Sequence, residues 1–104
     1  MELQKALESR RSVREYRQQP VEREKIEAMI QAAILAPSWK NSQVSRYYVV
    51  TGQEKLEQVK EALPEFNRRN AENAPVLIVT SFVQNRSGFE RDGTPSNELA
   101  NGWG

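Results

Sequence analysis

Periodicity along this chain predicts an α/β (α+β) fold in three layers, with helices around a central sheet. Three observations carry the prediction. A helical repeat of apolar residues fills residues 21–36. Two runs rich in β-branched and aromatic residues, "SRYYVVT" and "PVLIVTSF", lie far apart in the chain. A second helical repeat stands between them, so strands and helices alternate.

Taken in order, Leu3 and Leu7 are spaced i, i+4 and predict a short helix over about residues 2–10. "SVREYRQQP" breaks that pattern. In "VEREKIEAMIQAAILA" residues Ile26, Met29, Ile30, Ala33 and Ile34 share one face, with Glu22, Arg23, Glu24, Lys25, Glu27 and Gln31 elsewhere; Pro37 marks the end. "SRYYVVT", closed by Gly52, reads as a strand. Leu56, Val59 and Leu63 give "GQEKLEQVKEALP" its helical spacing up to Pro64. Residues 65–74 are polar and partly helical. Pro75–Phe82 is a continuous apolar run, the pattern of a strand buried on both faces. Residues 84–93 form a loop. Thr94 and Pro95 have the form of an N-cap and first helical residue, opening a helix into "SNELANGWG".

Composition narrows the function. The 104 residues suit one domain, or part of one, burying on the order of 65% of the unfolded surface. A hydrophobic fraction of 38% and mean hydropathy of −0.76 make that core marginal. Net charge is +1, which gives no overall field toward DNA or membrane. With no cysteine there is no disulfide, thiolate catalysis or Cys-held zinc; with no histidine the commonest general base and transition-metal ligand are gone. "MELQKALESRR" has no signal-peptide core, and no run approaches the ~18 apolar residues of a membrane span, so a cytoplasmic protein is expected.

Two segments carry chemistry. "RRSVREYR" gathers Arg10, Arg11, Arg14 and Arg17 around Ser12, and Arg forks with a hydroxyl suit phosphate oxygens. On composition alone the simpler reading is a solvated basic stretch pairing with Glu8 and Glu15. No glycine-rich phosphate loop accompanies it. In "APSWKNSQ", Asn41 and Gln43 offer donors and acceptors to a heteroaromatic edge, Ser38 adds a hydroxyl, Trp39 a flat apolar surface, and Lys40 a charge for an anionic group. The same loop reads as readily as a helix end whose polar groups cap carbonyls. Together the segments imply a ligand with a phosphate and a polar ring.

"RRSVREY" and "APSWKNSQ", separated by one amphipathic helix and followed by "RYYVV", resemble the FMN-dependent nitroreductase family. "APVLIVTSF" and "NELANGWG" fall where that family has its next strand and helix. The likeness covers essentially all of this chain but only the N-terminal half or so of a typical member, so residues 1–104 are expected to form a single, incomplete domain. It implies that Arg10, Arg11, Ser12 and Arg14 grip the FMN phosphate and ribityl chain. It further implies that Pro37, Ser38, Trp39, Asn41 and Gln43 lie against a flavin ring bound mainly by the other subunit of a homodimer. Asn67 corresponds to an Asn at the flavin's polar edge. Val44 departs from the family's usual Pro followed by an aromatic. The later segments, with basic residues that complete the phosphate grip and most of the dimer interface, are not matched.

The implied activity is a ping-pong transfer of hydride from NADH or NADPH through the flavin to a nitroaromatic, quinone or similar small acceptor. A flavin brings its own chemistry, so no side chain is assigned as acid or base and no metal is expected. Two other readings stand beside it. One is a non-catalytic, truncated relative that dimerises. The other is a DNA-binding helix-turn-helix with its second helix at "SQVSR", against which "RYYVVTG" is β-rich.

Overall fold

The computed structural model describes residues 1–101. Among these residues four α-helices and two strands follow one another as α1 (Leu3–Ser9), α2 (Arg23–Ala33), β1 (Ser45–Val50), α3 (Gln53–Ala62), α4 (Glu65–Asn70) and β2 (Leu77–Phe82). A single 3-10 turn, Trp39–Asn41, stands between α2 and β1. The α+β class expected from the sequence holds, and residues 45–50 are a strand, which removes the helix-turn-helix alternative.

β1 and β2 pair antiparallel, with Ser45 opposite Phe82 and Val50 opposite Leu77. The Val83 N–H donates to the Val44 carbonyl at 2.9 Å and carries the pairing one residue further. Val44 is fully buried there. Helix α2 buries Ile26 and half-buries Ile30, while Met29 and Ile34 stay more than half exposed. Helix α3 buries Leu56, and the buried Lys60 ammonium donates to the Glu72 carbonyl at 3.0 Å, tying α3 to the end of α4. Ala71 and Ala74 complete the buried apolar set.

Two expectations fail. β2 is not buried on both faces: only Leu77 is half-buried, and Ile78 through Phe82 are exposed. Its hydrogen-bonded neighbour among the described residues is β1, so a run suited to an inner strand lies at an edge. Nor does Thr94–Pro95 open a helix. The Thr94 N–H and hydroxyl both turn to Asp92 Oδ1, at 3.0 and 2.7 Å, in an Asx-type turn. Pro95 bridges antiparallel to Phe89, and residues 98–101 form turns rather than helix; the rest of the expected element lies outside the described residues. The radius of gyration is 16.8 Å, against ~13 Å for a compact domain of about 100 residues.

Candidate functional site

The loop between α2 and β1 is built by the sequence that ends α2. Pro37 cannot donate a backbone N–H and pushes Ala36 out of helical geometry. The helix accordingly loosens into turns, with the Leu35 and Ala36 N–H groups reaching back three residues to Ala32 and Ala33. Asn41 N–H donates to the Ser38 carbonyl at 3.0 Å and Ser42 N–H to the Trp39 carbonyl at 2.9 Å. Ser38 Oγ accepts the Gln43 N–H at 3.0 Å, which leaves its own O–H free to donate. Three residues in four adopt left-handed backbone without being glycine: Lys40 (φ 47°), Asn41 (φ 53°) and Gln43 (φ 51°). Such strain, on the order of 1–2 kcal/mol per residue, gathers where a segment is held for a task.

What the loop encloses is a cleft of about 520 Å³ with Pro37, Ser38, Asn41 and Gln43 on its wall. Neither carboxamide, of Asn41 or of Gln43, has a hydrogen-bonding partner among the described residues. Ser42 Oγ is buried and likewise has no partner among the described residues. Ser42 does not line the cleft, so the polar groups there that a ligand could meet are the Asn41 and Gln43 carboxamides and the Ser38 hydroxyl. Arg46 and Tyr47, which sequence reasoning passed over, also line the cleft. Arg46 folds back from β1 to donate to the Gln43 and Ser45 carbonyls at 2.9 and 2.8 Å, bracing the loop.

Trp39 is half-buried, with the Lys40 ammonium 4.7 Å from its ring centre. Lys40 also faces Glu90 Oε2 at 3.4 Å, a pairing fifty positions long that local pattern reading cannot find. The Ser96 hydroxyl donates to Glu90 Oε1 at 2.6 Å. That hydrogen bond first, and the Lys40 charge second, hold the Glu90 carboxyl below its ordinary pKa. Thr94 does the same for Asp92, through its hydroxyl and then its N–H.

The arginine segment is exposed and lies apart from this cleft. Arg10 follows α1 in extended backbone, and Arg11 Nη1 donates to the Glu8 and Arg10 carbonyls, each at 2.8 Å. None of Arg10, Arg11 or Arg14 is ion-paired among the described residues, so the expected pairing with Glu8 and Glu15 does not form. Asn67 is exposed on α4 and does not line the cleft.

No curated protein matches the chain. Solved structures do. A nitroreductase family protein of Clostridium novyi NT superposes with a TM-score of 0.72 at 25% identity, covering 94% of this chain and 54% of its own. A candidate NADH dehydrogenase/NAD(P)H nitroreductase of Bacteroides thetaiotaomicron VPI-5482 gives 0.70 at 32% identity, covering 81% and 49%. A BluB-like flavoprotein of Clostridium difficile 630 gives 0.63 at 31%, covering 85% and 52%. The chain thus spans about half the length of the structures it resembles. The nitroreductase family model matches residues 7–98, from α1 through the turn after β2. This chain belongs to the nitroreductase family.

Proposed function

We propose that the chain is the N-terminal part of one domain of a cytoplasmic, homodimeric flavin oxidoreductase that holds FMN. The observation that carries the reading is the cleft lined by Pro37, Ser38, Asn41 and Gln43, where two carboxamides without partners among the described residues stand beside a Ser hydroxyl in a member of this family. These groups fit the polar edge of an isoalloxazine ring, which presents donors and acceptors together. Asn41, Gln43 and Ser38 would hydrogen-bond around the ring, Pro37 and one side of Trp39 would lie against it, and Asn67, outside this cleft, would meet the ring's edge from the other subunit. Arg10 and Arg14, free of internal ion pairs, would take the phosphate with Ser12. Arg11, anchored to main-chain carbonyls, would orient the segment.

The chemistry a bound flavin supplies is two-electron transfer from NADH or NADPH to a nitroaromatic, quinone or similar acceptor. The protein's residues position the cofactor and shape the acceptor's seat. A homodimer is supported by the apolar surface left open: Leu3, Leu7, Met29, Ile34 and Leu35 are all more than half exposed. The first test is the visible spectrum of the protein after loading with FMN and desalting. A retained flavin spectrum that bleaches with NADH or NADPH is expected, and Arg14→Ala should weaken retention about tenfold, the worth of one charge-assisted contact. Failure to retain FMN, both by this chain and by a version extended to the usual family length, would overturn the reading.

A further inference from the structure

We propose that Trp39 and Lys40 form a recognition site for an aromatic acceptor bearing an anionic substituent, and that Glu90 is the internal carboxylate this ligand replaces. The inference rests on the oxidoreductase reading above and names the class of its acceptor.

The geometry is that of an exchangeable pair. The Lys40–Glu90 separation of 3.4 Å is longer than the ~2.7–2.9 Å of a well-formed charged hydrogen bond, and the two side chains are 64% and 49% exposed. Glu90 is fixed from behind by Ser96, so it stays in place when Lys40 leaves. Lys40 is the movable partner. Its ammonium sits over the Trp39 ring, between a π face and a carboxylate, and a flat anionic molecule supplies both of those features at once. The 3-10 turn and its two hydrogen bonds fix Trp39, and the left-handed backbone of Lys40 sets the direction of its side chain. In the chain Trp39 and Lys40 stand between Ser38 and Asn41, which line the cleft.

The test is a comparison of 4-nitrobenzoate with its neutral counterpart 4-nitrobenzamide, read by quenching of Trp39 fluorescence in a Trp103→Phe background and without added flavin. Expected is about tenfold tighter binding of the anion at low salt, shrinking as ionic strength rises. Lys40→Met should erase the preference. Glu90→Gln, which keeps an acceptor for Ser96, should enlarge it by removing the competitor. Equal binding of the two probes by the unmodified protein, or a preference that survives Lys40→Met, would overturn the proposal. So would a Lys40-dependent response to NADH with none to 4-nitrobenzoate, since the anion would then belong to the donor. Flavin retention is measured separately. A charge preference without flavin retention defeats only the oxidoreductase reading; flavin retention without a charge preference defeats only this one.

Discussion

At Gln43 a side chain and its backbone work against each other. The carboxamide faces the cleft unpaired, while φ is 51°, a region comfortable only for glycine. Gln43→Gly should therefore stabilise the fold by about 0.5–1 kcal/mol, the relief of left-handed strain less the entropy of a freer unfolded chain. The same change should reduce FMN retention, and urea titration beside desalting separates the two effects. Glu90 and Asp92 make a second case. Their folded pKa values lie below the ordinary 4.5 and 3.8. Stability from these groups is thus present above those ordinary values and is lost as pH falls through the lower, folded ones. Asp92→Asn keeps an acceptor for Thr94 and should make the acid decline in Tm shallower, as melts between pH 2 and 6 would register. The loop's chemistry was legible because amides, hydroxyl and Trp stand together in "SWKNSQ". The Ser42 burial and the Lys40–Glu90 pairing were not, since each depends on what the fold brings from elsewhere.

Among the elements, α1, α2, α3, α4 and both strands fall where periodicity and breakers put them, because Pro37, Gly52 and Pro64 end each segment locally. The exposure of β2 was not readable. An unbroken apolar run records what a strand can tolerate, not which neighbours arrive. Thr94–Pro95 misled for a related reason: a capping hydroxyl goes to whichever partner is nearest, and Asp92, two residues back, supplies it. Helix α3 is held chiefly by Leu56 and by the Lys60 link to Glu72. Leu56→Ala should cost about 2–4 kcal/mol. Urea unfolding followed by circular dichroism would show the lowered midpoint; a shift below about 0.5 kcal/mol, the usual range for exposed sites, would mean that α3 contributes little to the core.

At the scale of the molecule, five apolar side chains form the buried set among the described residues and the radius of gyration is 16.8 Å, so the chain is more open than its length requires. Leu35, Ile78, Val79 and Phe82 are among the apolar side chains left on the surface, and the chain spans about half the length of the solved relatives. Each strand has one hydrogen-bonded neighbour, which leaves the outer backbone edge of both β1 and β2 without a strand partner among the described residues. "YYVV" and "LIVT" carry no charge, proline or glycine, and Arg46 at the start of β1 is the one charged residue on either strand. Such segments template their own addition to further copies. The protein's shelf life is therefore expected to be set by fibril growth rather than by unfolding. Thioflavin fluorescence should rise in concentrated, warmed samples after a lag, a lysine at Val79 should lengthen that lag, and seeding with preformed material should abolish it.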